Sequence, residues 1–392
     1  MFQTMTAPPP DKILSLSELF RADTRQGKLD LGVGVYKDPE GRTPILPSVA
    51  TAEAAHVATL QTKAYVGPGG DPRFVELVRD LAFGSEAPVT RIGGVQTAGG
   101  AGALRVLAGL IALQAPEAVV HLPDPTWVNH HSVLADARLR TTSYRYLDAA
   151  SGQLCIEEML SDIAAMAPGD VILLHGCCHN PTGADPVAED WDRIIDAIAA
   201  RGVLPFVDLA YQGFGDGLEQ DAAALRKMAA RLPELLLAYS CSKNFGIYRD
   251  RVGAAFVLSE TAEAAGIAKA QLGVRNRVAY SMPPDHGAAL VRDILGTPEL
   301  AAQWRGEVEA MRRHVASNRA ALAEALAEID AQRFAALGTQ KGMFSCLPIS
   351  AAQVDRLRDE QAIYMVSDGR INLAGLDAAQ APVLARAVAS VL

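Results

Sequence analysis

Cysteine is scarce in this sequence. Five cysteines occur among 392 residues, and two of them, Cys177 and Cys178, are adjacent in the chain. An odd number of cysteines, with an adjacent pair that makes a poor structural disulfide, does not fit a secreted disulfide scaffold. We expect all five to be free thiols in a reducing compartment.

Long apolar runs are also missing. No stretch approaches the roughly 18 consecutive apolar residues that a membrane-spanning helix needs. Residues 1–11 lack the basic segment followed by an apolar one that defines a signal peptide. The pattern predicts a cytoplasmic protein with no membrane partner.

Positive charge is not concentrated anywhere in the chain. The sequence has 45 acidic against 36 basic residues, a net charge of −9, and no basic run interleaved with aromatic residues. Proteins that bind nucleic acid usually carry a basic patch or stripe. The charge pattern therefore argues against a nucleic-acid partner.

The length and apolar content indicate a folded protein with more than one core. A chain of 392 residues exceeds the size at which one hydrophobic core keeps growing, and 49% hydrophobic residues argue against disorder. We expect an N-terminal arm (1–12), a large domain (44–310) and a smaller α+β domain assembled from residues 13–43 and 311–392.

Short apolar runs alternate with longer helical patterns through the middle of the chain. Apolar runs at 119–122, 171–174, 203–207 and 235–238 are too short for helices. Their alternation with helices is typical of βαβ units, so we predict an α/β fold with a mostly parallel sheet flanked by helices.

Three further predictions concern single strands and helices. A strand is expected over 29–36, where Gly32 and Gly34 allow close approach to the backbone. A helix capped by Asp185 is expected to run to 201 and to end at Gly202. A long helix is expected from Pro298 to about residue 329.

Polar side chains follow several of the predicted strands. Asn180, Asp208, Tyr211 and Lys243 come at or just after the ends of three apolar runs. Because right-handed crossovers make such strands parallel, their carboxyl ends lie at one edge of the sheet. These four residues are therefore expected to converge.

The chemistry of these residues indicates a charged ligand. A buried aspartate needs a cationic partner, and a structural salt bridge from Asp208 to Lys243 or Arg251 is one solution. The alternative is a cationic, phosphorylated, carbonyl-bearing cofactor. A glycine-rich turn at 99–103, opening a helix, suits its phosphate, with Arg251 and Ser240 adding charge and a hydroxyl. Pyridoxal 5'-phosphate meets that description, with Lys243 as its Schiff-base amine.

Six motifs spread over nearly the whole chain closely resemble those of class I aspartate and aromatic-amino-acid aminotransferases. They are GVGVYKD (32–38), HGCCHNPTG (175–183), DLAYQGF (208–214), SCSKNFG (240–246), YSMPP (280–284) and GRINLAG (369–375). The resemblance implies the fold type I architecture of pyridoxal-phosphate enzymes and a homodimer with shared active sites. It implies ping-pong transfer of an amino group from an amino acid to 2-oxoglutarate.

The resemblance also implies a role for each matching residue. Lys243 is the Schiff-base lysine and proton carrier, Asp208 faces the pyridine nitrogen, Asn180 and Tyr211 face the phenolic oxygen, and Trp127 stacks on the ring. The remaining cofactor residues are Gly99, Gly100, Ala101, Ser240, Ser242, Arg251 and the partner's Tyr65. The substrate residues are Gly34, Trp127, Asn180, Arg370 for the α-carboxylate, and Arg277 from the second subunit for a distal carboxylate.

Three positions depart from the family pattern. Ala101 stands where the family usually has Thr or Ser, so a phosphate hydroxyl is missing. Met282 replaces an asparagine that is common in aspartate-specific members, and Ala64 replaces a polar residue. These changes favour aromatic amino acids (tyrosine, phenylalanine, tryptophan), with aspartate served through Arg277. Arg275, two residues away, competes for that last assignment.

Four alternatives remain beside this interpretation. A strictly aspartate-specific enzyme fits the same motifs, and a decarboxylase or β-lyase would use the same lysine and aspartate. An NAD-dependent Rossmann enzyme would need a third glycine where Arg105 stands. A zinc site at His175, Cys177, Cys178 and His179 lacks a second ligand pair at a suitable spacing, so no metal is predicted.

Overall fold

The computed structural model describes residues 2–7 and 12–392. Residues 2–7, in the first half of the predicted arm, are exposed, and Phe2–Thr4 form one 3-10 turn. The prolines at 8–10 and Asp11 lie outside the described residues. All five cysteines are free thiols. Among the described helices, none is both long and apolar enough to cross a membrane.

The strands are short and the helices vary from two turns to nine. The strands are β1 Leu29–Asp30, β2 Ile92–Ala98, β3 Val119–Asp124, β4 Arg140–Arg145, β5 Val171–His175, β6 Leu204–Leu209, β7 Leu235–Ser240, β8 Val252–Leu258, β9 Phe344–Cys346, β10 Ile363–Tyr364 and β11 Arg370–Asn372. The helices are α1 Lys12–Ala22, α2 Pro47–Thr59, α3 Pro72–Phe83, α4 Gly99–Gln114, α5 Val128–Asp136, α6 Ile156–Ala165, α7 Ala188–Arg201, α8 Ala223–Arg231, α9 Ala262–Tyr280, α10 His286–Gly296, α11 Pro298–Asp330, α12 Ala351–Gln361 and α13 Ala381–Val391.

A seven-stranded sheet forms the centre of the molecule, in the order β2-β8-β7-β6-β5-β3-β4. The β7, β6, β5, β3 and β4 strands pair in parallel, whereas β8 is antiparallel to both of its neighbours. The predicted α/β fold with a mostly parallel sheet is confirmed. Strand β8 was not among the sequence predictions.

Both faces of this sheet are buried. Along β7, Leu235 and Leu237 belong to one hydrophobic core, while Leu236 and Ala238 belong to another. Successive side chains of a strand point to opposite faces, so the two cores lie on the two sides of the sheet. Because both faces are covered by apolar side chains, a polar site has to lie at the ends of the strands, and parallel sheets bind their ligands at the carboxyl ends.

Two small sheets lie outside the large one. Strand β1 pairs in parallel with β10, and β9 pairs antiparallel with β11. The 33-residue helix α11 is the predicted long helix, and it packs against α2, α10 and α13.

Two local predictions were wrong. The strand expected over 29–36 ends at Asp30, because Asn372 Nδ2 donates to the carbonyls of Val33 (2.6 Å) and Val35 (2.8 Å) in place of a neighbouring strand. Helix α7 starts at Ala188, and its N-terminus is not capped by Asp185. The Asp185 carboxylate instead accepts from the backbone N–H groups of residues 178 and 179. The helix does end at Gly202 with φ of 69°.

Candidate active site

A cavity of about 330 Å³ opens at the carboxyl ends of β5, β6 and β7. Most of the residues predicted for the cofactor and substrate line it, although they come from distant parts of the chain. These are Gly34, Gly100, Ala101, Trp127, Asn180, Asp208, Tyr211, Ser240, Ser242, Lys243, Arg251 and Arg370. The expected convergence of Asn180, Asp208, Tyr211 and Lys243 is present in the structure.

Asp208 lies near the end of β6 and is buried. Its Oδ2 atom is 3.0 Å from Nε2 of His130, whose Nδ1 is 2.8 Å from the hydroxyl of Thr126. Burial raises the pKa of Asp208, but the hydrogen bond from His130 and nearby cations outweigh it and hold the pKa below its ordinary value. Asp208 is therefore a carboxylate that stays ionised inside an enclosed site.

His175 stands beside this pair at the end of β5. Burial, with a smaller contribution from His130, lowers the pKa of His175 to about 3, so its imidazole is neutral at physiological pH. Its Nε2 lies 3.3 Å from the hydroxyl of Thr126. The network behind Asp208 thus keeps the neutral His175 ring next to the carboxylate.

Lys243 follows β7 and faces the cavity. Its enclosure lowers the pKa to about 8, an effect that Asp208 opposes and Arg251 reinforces. The Nζ atom lies 4.6 Å from the centre of the Tyr211 ring. A lysine with this pKa is a neutral amine in a substantial fraction of molecules near neutral pH, as a nucleophile or proton carrier needs to be.

One end of the cavity is built to take an anion. Helix α4 begins at Gly99 and Gly100, where a Cβ at Gly99 would lie 2.5 Å from the Arg251 guanidinium and one at Gly100 would lie 2.9 Å from Cβ of Ser240. The two glycines let the helix N-terminus, a guanidinium and two serine hydroxyls meet at one place. Helix N-termini with such neighbours bind phosphate groups, so these residues fit the phosphate of pyridoxal phosphate.

A second cation lies elsewhere in the cavity. Arg370, at the start of β11, is buried, and its Nη2 donates to the carbonyl of Gly32 at 3.0 Å. Its guanidinium lies over the Phe344 ring, with Cζ 4.7 Å from the ring centre. The Nε atom has no hydrogen-bond partner among the described residues. A guanidinium that is held by Gly32 and, at 3.5 Å, by Asn180, and that still has an unpaired Nε, suits a carboxylate ligand.

Three predicted site residues are not in the lining of this cavity. Gly99 lies just behind it, next to Arg251. Tyr65 is 88% exposed, and Arg277, in α9, is also exposed. Arg275 is partly buried beside α4. Within this chain, neither Tyr65 nor Arg277 lines the cavity.

The cavity also has lining residues that the sequence did not assign to it. They are Leu104, Asn129, His175, Ala210, Tyr248 and Phe344. The Tyr248 hydroxyl accepts a hydrogen bond from the backbone N–H of Tyr36 at 2.9 Å, which ties the loop of Gly34 to the segment after Lys243. Tyr248 is near the lysine motif in sequence and was detectable on that ground, whereas Phe344 carried no signal of its own.

Comparisons with known proteins point to the same family as the sequence motifs. Residues 26–388 match the family model for aminotransferase class I and II. The chain is 49% identical over 394 residues to an aromatic-amino-acid aminotransferase of Pseudomonas aeruginosa, covering 100% of this chain and 98% of that protein. It is 42% identical to the aspartate aminotransferase of Escherichia coli, with both chains fully covered. An aromatic-amino-acid aminotransferase from Burkholderia pseudomallei, solved covalently bound to pyridoxal phosphate, superposes with a TM-score of 0.97 at 38% identity, covering 100% of this chain and 99% of that one.

Proposed function

The chain belongs to the class I and II aminotransferases, and we propose that it moves the amino group of aromatic amino acids, and of aspartate, to 2-oxoglutarate by a ping-pong mechanism. The observation that carries this proposal is the arrangement of one cavity. Lys243 and Asp208 face its interior, an anion cradle lies at Gly100 and Arg251, and Arg370 offers a separate unsatisfied cation.

We infer that the cofactor is pyridoxal phosphate, joined to Lys243 as a Schiff base. When bound, it supplies an aldehyde that condenses with amines and a protonated ring that withdraws electrons from the attached carbon. Ser240, Ser242, Arg251 and the N-terminus of α4 hold the phosphate in this proposal. Because Ala101 has no hydroxyl, the phosphate is bound by one hydrogen bond fewer than in family members with Thr or Ser at this position.

Asp208 is proposed to keep a proton on the ring nitrogen. Its carboxylate is ionised and buried, and His130 fixes its orientation from behind. Asn180 and Tyr211 are assigned to the phenolic oxygen, and they already lie close together, with Asn180 Nδ2 3.5 Å from the Tyr211 hydroxyl. Trp127 is assigned to the ring face.

Lys243 is proposed to carry the proton between the substrate's α-carbon and the cofactor. Its Nζ lies over the Tyr211 ring and its pKa of about 8 lets it both accept and return a proton near neutral pH. Arg370 holds the substrate's α-carboxylate through its unpaired edge, beside Gly34 and Asn180. This fixes which substrate bond faces the lysine.

The preference for aromatic side chains is proposed from the apolar parts of the site. Leu104, Phe344 and Trp127 line the cavity, while Ala64 and Met282 stand where aspartate-specific members have polar residues. Aspartate and 2-oxoglutarate need a second cation for their distal carboxylate, which we assign to Arg277 of a second copy. Tyr65 is assigned to the same boundary, so the active form is proposed to be a homodimer, located in the cytoplasm.

The two-domain organisation is also part of the proposal. The small sheets β1–β10 and β9–β11 fall within the expected small domain at 13–43 and 311–392. The large sheet lies within 44–310, and α11 runs across the boundary near residue 310. Arg370 and Gly34 then belong to one domain and Lys243 to the other, so that the cavity lies between them.

Product analysis tests this function. The purified protein, loaded with pyridoxal phosphate, is incubated with phenylalanine and 2-oxoglutarate, and then with aspartate and 2-oxoglutarate. We expect phenylpyruvate or oxaloacetate to appear in equal amounts with glutamate. Carbon dioxide and an amine in place of the 2-oxo acid would instead indicate a decarboxylase. Lys243→Ala is the inactive control.

A further inference from the structure

Two adjacent thiols lie next to a buried carboxylate, outside the lining of the cavity. The Sγ atoms of Cys177 and Cys178 and a carboxylate oxygen of Asp221 all lie within 4.8 Å of one another. All three residues are buried. Asp221 comes from a different segment, just before α8, so the cluster is formed only by the fold.

The neighbouring histidines do not belong to this cluster. His175 lies within hydrogen-bond distance of Thr126, and Nδ1 of His179 is 2.9 Å from the hydroxyl of Thr182. The two imidazoles pack on each other, with ring centres 4.1 Å apart. The sequence predicted no metal because the His/Cys motif lacked a further ligand pair. In the structure, the group that lies beside the two thiols is one aspartate, Asp221.

The Asp221 carboxylate has room for one more partner. Its Oδ2 accepts from the backbone N–H groups of Gly213 and Gly215, whereas among the described residues Oδ1 accepts from the N–H of Asp216 alone. A carboxylate offers about four lone-pair positions, so Oδ1 retains one. A Cβ at Gly215 would lie 2.6 Å from this Oδ1 and 3.2 Å from Sγ of Cys178. A side chain at position 215 would therefore press on both the carboxylate and the thiol.

We propose that Cys177, Cys178 and Asp221 bind a thiophilic divalent cation such as Zn²⁺ or Cd²⁺. Zn²⁺ is bound by cysteine sulfur at about 2.3 Å and by carboxylate oxygen at about 2.0–2.2 Å, so the three ligand atoms, now within 4.8 Å of one another, would draw together around the ion. The charged groups that face the thiols are Asp185, Asp221 and Arg319, two anions and one cation. The ion would displace the two thiol protons to solvent.

The cluster lies next to a second cavity. This cavity, of about 230 Å³, is lined by Gly215, Gly342 and Arg319, among others. A Cβ at Gly342 would lie 2.8 Å from Sγ of Cys178, so this thiol stands directly behind two residues without side chains.

Equilibrium dialysis of the cofactor-loaded protein against Cd²⁺ tests the proposal, with ultraviolet thiolate-to-metal absorption as the second readout. Cys177→Ser and Cys178→Ser are expected each to lose one bound Cd²⁺ per chain and its absorption. Cys241→Ser is the matched control, since Cys241 is equally buried but lies outside the cluster, and it should bind like the wild type. Unchanged binding in either cluster variant overturns the proposal.

A second pair of variants keeps all three ligands. Gly215→Ala adds a Cβ that presses on both Asp221 and Cys178 and is expected to lose the same Cd²⁺ ion. Gly306→Ala is its control, because an added Cβ there meets no described atom within 4 Å. Circular dichroism verifies that each variant is folded. Full Cd²⁺ binding by folded Gly215→Ala, or equal loss in Gly306→Ala, contradicts the site.

Discussion

Nε2 of His130 lies 3.0 Å from Oδ2 of Asp208, and a second pair, His121 and Asp170, has the same separation far from the cavity. Both aspartates are buried and both have a pKa below the ordinary value. Only Asp208 faces the cavity that also contains Lys243. Comparing substitutions in the two pairs therefore distinguishes a chemical role of a buried carboxylate from a purely structural one.

Asp208→Asn should lower kcat/KM by about 10²–10⁴-fold, because an amide cannot hold a proton on the ring nitrogen by charge. Asp170→Asn is the matched control and should keep most of its activity, though its melting temperature falls. Steady-state kinetics with phenylalanine and aspartate measure both. An Asp208→Asn enzyme as active as Asp170→Asn would remove the assigned role.

Arg370→Lys should raise KM for every amino acid donor, since an ammonium cannot donate two parallel hydrogen bonds to a carboxylate. A lost hydrogen bond between charged groups is worth about 1.5–3 kcal/mol, or roughly 10–150-fold in kcat/KM. Arg333→Lys is the control: Arg333 also donates twice, from Nε and Nη2 to the carbonyl of Pro348, but lies outside the cavity. Equal losses in both variants would argue for a structural effect.

Arg277→Ala should reduce kcat/KM for aspartate far more than for phenylalanine, because only aspartate has a distal carboxylate. Arg275→Ala, two residues away on the same helix, should change the two substrates alike. The ratio of the two kcat/KM values is the measurement. If Arg275→Ala shifts that ratio and Arg277→Ala does not, the assignment moves to Arg275.

Ala101→Thr should strengthen cofactor retention by about tenfold or more, since it adds a hydroxyl donor at the phosphate cradle. Ala112→Ser, on the same helix but away from the cavity, should leave it unchanged. Dissociation of pyridoxal phosphate during dialysis, followed by absorption, measures the effect. Equal retention in wild type and Ala101→Thr would mean that residue 101 does not face the phosphate.

Stability of the cofactor-free protein should depend on pH through Lys243. Its enclosure lowers its pKa from 10.5 to about 8, so between these values the unfolded chain binds more protons and the folded state gains stability as pH rises. The gain is about 3 kcal/mol over the whole window, at about 1.4 kcal/mol per pKa unit. Denaturant unfolding of wild type and Lys243→Met, compared at pH 7.5 and pH 10, isolates this contribution. If the free energies of unfolding of the two proteins change equally between pH 7.5 and pH 10, the lysine is not enclosed.

The residues at the edge of the sheet could be predicted from the sequence because the reactive side chains come directly at or after the strand ends. Asp208 and Lys243 come at or just after buried apolar runs, and parallel strands place such residues together regardless of their separation. Strand β8 was not predicted because it follows β7 with no helix between them and so breaks the strand–helix alternation; it is antiparallel to both neighbours.

Other parts of the site depend on packing that no local pattern encodes. Phe344 reaches the cavity because β9 pairs with β11, which places it against Arg370. The Gly34 loop is held by the side chain of Asn372 rather than by a strand partner. Asp221 meets the two cysteines only through the turn before α8. Each of these contacts joins segments that are far apart in sequence.

The central claim is that an amino acid alone, before 2-oxoglutarate is added, undergoes half of a transamination in this cavity. The most direct measurement is the visible absorption of the cofactor-loaded protein, mixed with phenylalanine alone and then with aspartate alone. We predict that the band of the bound aldehyde disappears while one equivalent of the 2-oxo acid per site is released, and that 2-oxoglutarate restores the band. A band that stays unchanged with both amino acids, in a protein that retains pyridoxal phosphate, would contradict the account.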